Sequence, residues 1–312
     1  MNTKIDKKTE RSLRRRNRIK GCFADKVFDV CNFLILAFVL FIVAYPLLIV
    51  LSSSFSDPVA VSAGKVRLLP VDFSLLGYDA VMKYKRIWVG VGNSFFYMIV
   101  GTAINMVCTV LCAYPLSRRD FAPRKFVNFM FAFTMWFSGG LIPAYLLIRN
   151  LGLYDTRWAL LIPGAVGVWN MILVRTYFQD SISESLFESA RLDGCSDITY
   201  LLRIAIPIST PVLAVVALYY AVGHWNTFMG AYIYLQNQQL QPIQIVLQEI
   251  LVLSQMNEVN VTVPSAMEVN AQQMSELLKY ALAVVASVPM VVLYLCAQKY
   301  FTKGIMVGSV KG

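Results

Sequence analysis

Residues 30–51 have the sequence VCNFLILAFVLFIVAYPLLIVL, a run of 22 residues without a charged side chain. An α-helix rises about 1.5 Å per residue, so roughly 20 apolar residues cross the hydrocarbon of a bilayer. The run is therefore long and apolar enough to form a transmembrane helix. Pro46 lies inside it. A membrane helix tolerates such a proline because neighbouring helices can satisfy the freed carbonyl groups.

Five more apolar runs of similar length follow. They are Phe95–Leu116, Phe126–Ile148, Trp158–Phe178, Val212–Leu235 and Leu277–Cys296. The whole chain of 312 residues is 57% hydrophobic and only 15% charged, with a mean hydropathy of +0.59. Soluble domains are about a quarter charged, so the surplus apolar surface must face something other than water. We therefore expect an all-α integral membrane protein with six transmembrane helices.

Basic residues are unevenly distributed among the segments that join the runs. Residues 1–26 hold ten Lys and Arg against three acids. If that end is cytoplasmic, the inside segments together hold 19 Lys and Arg and the outside segments hold 7. The positive-inside rule then predicts that both termini are cytoplasmic. Because the basic arm precedes a membrane span, contact with anionic lipid is a better interpretation than nucleic-acid binding.

This topology divides the chain into four parts. They are a basic cytoplasmic arm (1–29), the first transmembrane helix with an outer loop (30–92), a transmembrane core (93–297) and a cytoplasmic tail (298–312). Within the core, the outer segment 236–276 has no Lys or Arg and is rich in Gln and Asn, so by itself it predicts a solvated loop. Of the six cysteines only Cys108 and Cys112 are close in sequence, and no His or second Cys pair lies near them, so the sequence shows no metal-ligand or disulfide pattern.

The segment between the fourth and fifth runs departs from the charge rule. Residues 179–206 should be cytoplasmic, yet they carry five acidic side chains against only Arg191 and Arg203. A net negative charge is unfavourable for contact with anionic lipid, which indicates a protein partner instead. The pattern predicts two short helices, the first capped by Ser183 and the second by Ser196 or Asp197. Gly194 supplies the turn between them, since glycine enters left-handed conformations without steric cost, and Pro207 ends the second helix.

The spacing within this segment carries a family resemblance. Glu188-Ser189-Ala190 is followed after three residues by Gly194, and after nine more by Ile204-Ala205-Ile206-Pro207. It resembles the EAA motif of binding-protein-dependent ABC importer permeases, which has E-A-A, three residues, G, nine residues and I-x-L-P. Two positions depart from the motif: Ser189 replaces an alanine and Ile206 replaces the leucine. Both keep the size or polarity class, and a fixed spacing over some twenty residues is specific.

Other stretches narrow the resemblance. Residues 137–143 (FSGGLIP), Trp169-Asn170 and residues 223–226 (GHWN) are similar to the carbohydrate-uptake permeases of the maltose type. Within them, the chain is most similar to the branch assigned to oligosaccharides and polysaccharide fragments. The ending at residues 298–312 resembles the tail of the same permeases, so the resemblance covers roughly residues 28–312.

This resemblance implies a type I ABC importer permease fold in a bacterial cell membrane, crossed several times. It also implies four partners: ABC ATPase subunits docked on the acidic loop, a second permease in a heterodimer, an extracellular solute-binding protein, and a carbohydrate. In the family, the loop of one permease type that corresponds to 236–276 reaches toward the binding protein, so a solvated loop and a contact with that protein both stay open for this segment. The chain contains no G-x-x-x-x-G-K-[ST] phosphate cradle, so ATP hydrolysis must come from the partner subunits. We therefore expect a transport subunit that is not itself an enzyme and binds no cofactor or metal.

The resemblance assigns coupling to the ATPase subunits to nine residues of segment 182–206 and to Pro207. They are Leu186, Phe187, Glu188, Ser189, Ala190, Asp193, Gly194, Leu201, Ile204 and Pro207. Four apolar members of this set, Leu186, Phe187, Ala190 and Leu201, are expected to supply the apolar contact. Glu188 and Asp193 are expected to pair with basic groups of the partner or to fix the turn.

A polar and aromatic group in the fourth and fifth runs is the candidate substrate pathway. Its members are Trp169, Asn170, Tyr219, His224, Trp225 and Asn226. Two interpretations stay open for His224, the only histidine, and its neighbours. Such residues can face a sugar by stacking and amide hydrogen bonds, or they can form polar contacts between helices worth about 0.6 kcal/mol each. A catalytic role is remote, because no nucleophile or carboxylate lies near His224 in sequence.

Two other classes of membrane protein compete with this interpretation. An ion-coupled secondary transporter would be expected to carry acidic residues within its spans. The six runs contain none, and Glu276 lies at the very edge of the last. A membrane enzyme would need a metal or nucleophile constellation, and the sequence shows none.

Overall fold

The computed structural model describes residues 23–259 and 266–308, and side chains at 23–252 and 276–298. Most of the predicted basic arm and the last four residues of the tail lie outside the described residues. Every regular element in the described ranges is helical. The helices are α1 (Phe23–Ser54), α2 (Pro58–Ser62), α3 (Leu76–Lys83), α4 (Lys85–Ser117), α5 (Arg124–Trp136), α6 (Leu141–Asn150), α7 (Trp158–Leu161), α8 (Val168–Ser181), α9 (Glu184–Leu192), α10 (Asp197–Ile208), α11 (Thr210–Trp225), α12 (Met229–Tyr234), α13 (Ile243–Val259) and α14 (Ala266–Gly308).

The first, second and sixth apolar runs form uninterrupted helices. They lie within α1, α4 and the Glu276–Gln298 part of α14, each long and apolar enough to cross a membrane. Pro46, Pro115 and Pro289 all lie inside these helices, as expected for a helix bundle in lipid. By length and composition, up to five spans are present in the described ranges if each sharply bent helix pair counts as one.

The other three runs, each expected to form one transmembrane helix, are divided into two helical parts. The third run bends by 115° between α5 and α6, with Gly140 at a φ of +86°. The fourth run is interrupted between α7 and α8, around Pro163 and Gly167. The fifth run ends as a regular helix at Trp225 and resumes at Met229. Glycine in the third run, and glycine and proline in the fourth run, weaken the helix at the break.

The expectation of a solvated loop at 236–276 was wrong for its described part. Helix α13 begins at Ile243 and buries Ile243, Val246 and Ile250, which share one helical face. Ser94 on α4 accepts a hydrogen bond from the Ile243 backbone N–H at 2.9 Å. Within the described side chains of this helix, Gln248 is exposed and Gln244 is half-buried, and the Gln and Asn residues of 236–241 lie in the segment that precedes the helix.

Helix α4 lies at the centre of the bundle. It packs against α8, α11 and α13, while α14 packs against α11, α13 and α1. Tyr114 and Phe178 belong to a core cluster at one end of α4, and Ile87 and Trp225 belong to a second cluster at the other end. Helix α1 packs mainly against α14 and leaves its apolar residues exposed, so it must face lipid or another subunit.

Candidate functional site

The two-helix segment predicted between the fourth and fifth runs is present. Helix α9 ends at Leu192, and Gly194 follows with a φ of +77°. The Gly194 N–H donates to the Arg191 carbonyl at 3.1 Å, and the Cys195 N–H donates to the Ala190 carbonyl at 2.9 Å. These two bonds satisfy carbonyl groups left free at the helix end, and they require the left-handed residue.

The second helix starts and ends close to the expected positions. Ser196 caps α10, accepting a hydrogen bond from the Thr199 N–H at 3.3 Å, whereas the Ser183 side chain caps no backbone N–H of α9. Helix α10 continues one residue past Pro207, and its turn at Leu201–Ala205 is π-helical. Helices α10 and α11 then meet at 84°.

The segment is anchored to the bundle through Phe187, which is only 6% exposed. Its ring meets Tyr200 edge-on, with centroids 5.1 Å apart. The Arg118 guanidinium carbon lies 3.2 Å from the Phe187 ring centroid, and Tyr114 lies beside Tyr200. Arg118 and Tyr114 are at the end of α4, so α9 and α10 are held directly against the central helix.

A surface ion pair adds a second, weaker connection. Arg119 Nη1 lies 3.0 Å from Glu184 Oε2, with the two side chains 77% and 44% exposed. Exposed pairs of this kind contribute at most about 1 kcal/mol. Burying a phenylalanine contributes about 1.5–3 kcal/mol, and a cation–π contact adds roughly 0.5–2 kcal/mol. The packing around Phe187 therefore dominates the anchoring.

The outward surface of the segment differs from the expected one. Phe187, Ala190 and Leu201, expected to supply apolar contact with a partner, are buried inside the chain and support the segment instead. The apolar side chains that do point out are Leu186, Leu192, Ile198 and Leu202, exposed at 38%, 89%, 72% and 59%. The sequence could have predicted an outward apolar surface, because apolar residues occupy more than one face of each short helix.

The remaining residues of the coupling set lie around this surface. Glu188, Asp193 and Pro207 are exposed, and Ile204 is half-buried. The Ser189 hydroxyl is used locally, since it donates to the Ser185 carbonyl at 2.9 Å. The segment thus presents apolar and acidic side chains to the outside from a firmly packed base.

Of the candidate pathway residues, two face the interior of the bundle. Trp225 is 1% exposed, and its indole N–H donates to the Ala286 carbonyl of α14 at 3.1 Å. His224 Nε2 lies 2.7 Å from the Asn105 side-chain oxygen of α4. A Cβ at Gly101 would lie 2.5 Å from the His224 ring, so the glycine permits this close approach. For His224 and Trp225, the structure therefore favours contacts between helices.

The same polar contacts support the break in the fourth run. The Asn105 amide donates to the Gly164 carbonyl at 2.5 Å, and the Tyr220 hydroxyl accepts from the Gly167 N–H at 3.0 Å. Tyr220 is also bonded to the Thr109 hydroxyl at 2.7 Å. Non-helical backbone inside a membrane must be satisfied by protein or by water in a cavity. Side chains of α4 and α11 supply those bonds here.

The other pathway candidates lie at or near the surface. Trp169 is 65% exposed and Tyr219 is 47% exposed. Asn226 is exposed and Asn170 is half-buried. Tyr219 and Asn226 are seven residues apart, which places them on one side of α11. An aromatic ring and an amide on one exposed face are groups that can contact a sugar.

Known proteins resemble this chain closely. It is 39% identical over 289 residues to protein LplC of Bacillus subtilis (strain 168), covering 93% of this chain and 96% of the relative. It is 37% identical over 288 residues to the polygalacturonan/rhamnogalacturonan transport system permease protein YtcP of the same strain. This match covers 92% of this chain and 99% of the relative. No protein-family profile matches the chain.

The fold is also similar to a solved structure. It superposes with a TM-score of 0.82 and 34% identity on a chain from a bacterial ABC transporter involved in the import of the acidic polysaccharide alginate. The likeness covers 90% of this chain and 99% of that one. YtcP, whose name describes a polysaccharide transport permease, is more than 30% identical to this chain over more than nine-tenths of its length. The solved importer chain has the same fold. The chain therefore belongs to the family of permease subunits of carbohydrate ABC importers, in which partner ATPases hydrolyse the ATP.

Proposed function

We propose that residues 184–208, here called the coupling segment, form the docking site for an ATPase subunit. The observation that carries this proposal is the exposed apolar surface of Leu192, Ile198 and Leu202 on a segment anchored to α4 through Phe187. Such a surface can transmit force because Phe187, beneath it, is packed against Arg118 at the end of α4, so a displacement of the segment also displaces the central helix. ATP-driven closure of the partner would then shift the permease helices as packed bodies.

The proposed arrangement is a multi-pass protein of the bacterial cell membrane, with six crossings and both termini cytoplasmic. The excess of 19 to 7 Lys and Arg on the inside supports the orientation. Three uninterrupted helices supply three crossings. The three broken runs supply the others, each divided near a glycine, a proline or Asn226. The ion-coupled alternative is set aside because the family is driven by ATP.

A second permease subunit completes the pathway in this proposal, and an extracellular solute-binding protein delivers the cargo. The exposed apolar surface of α5 and α6 supports a partner in the membrane. Trp136, Phe137 and Ile142 around their bend are 86%, 65% and 72% exposed in the single chain. The pathway would pass along Trp169, Tyr219 and Asn226, where rings can stack on sugars and an amide can bond to hydroxyl groups.

The proposed cargo is an oligosaccharide fragment of an acidic polysaccharide. Two relatives support this class: YtcP by its polygalacturonan/rhamnogalacturonan name, and the importer of the acidic polysaccharide alginate. A cargo of this kind combines carboxylates with many hydroxyl groups. It needs a pathway that contacts both.

Replacing Ile198 with Glu tests the docking proposal. The side chain is 72% exposed, so the permease should still fold and enter the membrane, while a charge is introduced into an apolar contact. We expect recovery of the ATPase subunit with the purified permease to fall strongly, and uptake with it. Leu69→Glu is the matched control, because Leu69 is 76% exposed and lies outside the coupling segment. Full ATPase recovery with Ile198→Glu would refute the proposal.

A further inference from the structure

A cavity lies at the end of the bundle opposite the coupling segment. It has a volume of about 800 Å³ and is formed by α12, the start of α13 and the first turn of α4. This size is within the range of ligand pockets in proteins. Its lining includes Arg86, Phe228, Tyr232, Gln238, Gln248 and Glu249.

One wall of the cavity is aromatic. The rings of Phe228 and Tyr232 are stacked with centroids 5.8 Å apart and an interplanar angle of 27°. Tyr232 is 65% exposed, so a face of this pair is available to a ligand. Aromatic rings of this kind can pack against the C–H face of a pyranose ring, burying apolar area while leaving the sugar hydroxyl groups free.

The other wall carries side-chain amides. Gln236, Gln238 and Gln248 line the cavity, and their amide groups make no hydrogen bond within the part of the chain that has described side chains. Each amide offers two donors and an acceptor, which matches the paired donor and acceptor character of sugar hydroxyls. The Gln241 amide, by contrast, is already bonded to Arg86 and to the Leu235 carbonyl.

The charge in the cavity is internally compensated. Arg86 contacts both carboxylate oxygens of Glu249, at 2.6 and 2.7 Å, and its side chain is 22% exposed. A two-point contact of this kind occupies the guanidinium group. No further Lys or Arg lines this cavity among the described residues. A carboxylate entering the cavity would therefore lose its hydration without meeting an unpaired cation. A hydroxyl group carries no charge, so it needs no cation and can bond to the side-chain amides.

The length of α4 shows at which end of the bundle the cavity lies. Arg86 is in the first turn of this helix and Arg118 directly follows its last residue, about 50 Å apart at 1.5 Å per residue. Arg118 touches Phe187 of the coupling segment. If the coupling segment meets an ATPase in the cytoplasm, the cavity opens on the extracellular side.

We propose that this cavity is a carbohydrate-binding subsite at the extracellular entrance of the permease, which takes an uncharged, hydroxyl-rich sugar unit. The inference rests on the proposed function for its side of the membrane and for its cargo. Tyr232 and Phe228 stack on the sugar ring, and the free Gln amides bond to its hydroxyls. The Arg86–Glu249 pair leaves no uncompensated cation in the subsite, so the subsite favours the neutral units of a mixed acidic polysaccharide, such as the rhamnose units of a rhamnogalacturonan fragment, over its carboxylated units.

The test uses two probes that differ only at C6: α-1,4-tetragalacturonate and the same tetrasaccharide with its carboxyl groups reduced to hydroxymethyl. Their binding to the importer in lipid nanodiscs, without the solute-binding protein, is measured by calorimetry. We expect the reduced probe to bind, Tyr232→Ala to lower its affinity about tenfold, and Tyr232→Phe to leave it nearly unchanged. Met229→Ala is the control, since Met229 is 63% exposed on the same helix and does not line the cavity.

Glu249→Gln tests the charge argument separately. It frees the positive charge of Arg86 while keeping a hydrogen-bond acceptor, so the preference between the probes should move toward tetragalacturonate. The proposal is overturned if the reduced probe does not bind, if Tyr232→Ala binds it as well as the unaltered chain, or if Glu249→Gln leaves the preference unchanged. Recovery of the ATPase subunit with each variant is measured in parallel, so a failure of this subsite is distinguished from a failure of the docking proposal.

Discussion

Gly194 is the position where one substitution should separate coupling from folding. Its φ of +77° lies in the left-handed region, and a Cβ built at this position meets no atom within 4 Å. The Cβ of a valine would therefore meet no other part of the chain. Its cost comes from the backbone conformation alone, which disfavours a residue with a Cβ.

The size of this cost can be estimated. A left-handed conformation costs an L-residue about 1–2 kcal/mol. This is a fraction of the roughly 5–15 kcal/mol by which domains are usually stable, so the permease should still fold. The same cost changes an equilibrium between two conformations of the turn roughly 5- to 30-fold. Gly194→Val should thus depopulate the turn that positions α9 against α10.

The assay combines two measurements on the purified importer: the affinity of the permease for its ATPase subunit, and transport into proteoliposomes. We expect Gly194→Val to weaken ATPase binding roughly 5- to 30-fold and to reduce transport with it. Gly152→Val is the matched control. Gly152 has a φ of +70° and equally open space around its Cβ position, but it follows α6, outside the coupling segment. It should carry the same strain without the loss of ATPase binding.

Comparing asparagine with valine at position 194 shows whether the backbone conformation or the side-chain volume causes the loss of ATPase binding. Asparagine tolerates the left-handed region better than valine, so Gly194→Asn should keep most of the ATPase affinity. If Asn and Val at position 194 are equally damaging, side-chain volume against the partner is responsible and the conformational reasoning is refuted. Unchanged affinity and transport in Gly194→Val would refute the coupling role itself.

Two more predictions concern the pathway and the topology. Asn226→Leu should lower uptake while leaving assembly and basal ATPase activity intact, because Asn226 is exposed at the end of α11; normal transport by this variant would favour a packing role. In a background without native cysteines, Gln238→Cys should react with a membrane-impermeant thiol reagent in intact cells, whereas Ser183→Cys should react only after lysis. The opposite pattern would invert the proposed orientation.

Several features were predictable because they depend on local rules. The run at 30–51 needs only length and hydrophobicity to form a helix, and α1 contains it. The left-handed turn at Gly194 and the cap at Ser196 follow from the conformational preferences of single residues. The family likewise followed from a fixed spacing, which the relatives confirm.

Other features depend on contacts between distant parts of the chain. Phe187 was expected to face a partner, but Arg118, which is 69 residues away in sequence, and Tyr200 of the next helix enclose it. His224 and Trp225 were ambiguous because their partners, Asn105 and the Ala286 carbonyl, belong to other helices. A sequence pattern shows that such side chains are amphipathic, but it does not show which neighbour satisfies them.

If the three broken runs cross the membrane as proposed, their breaks lie at similar distances from the cytoplasmic ends of the helices, which constrains the assembly. Counted from their predicted cytoplasmic ends, α5, α8 and α11 run for 13, 14 and 16 residues before they break, or about 20, 21 and 24 Å. Arg124 at the start of α5 and Ser181 at the end of α8 line one cavity, so these two helices share a level at that end.

The break in the fourth run is satisfied inside the chain by Asn105 and Tyr220. The break in the third run is different, because residues 137–140 are exposed in the single chain. Backbone without helical bonds is not tolerated against lipid at this depth. If the third run crosses the membrane as proposed, its bend must therefore lie against a second permease subunit or the aqueous pathway. On that proposed topology, the surface around Phe137 and Gly140 requires a protein or aqueous neighbour that the single chain does not supply.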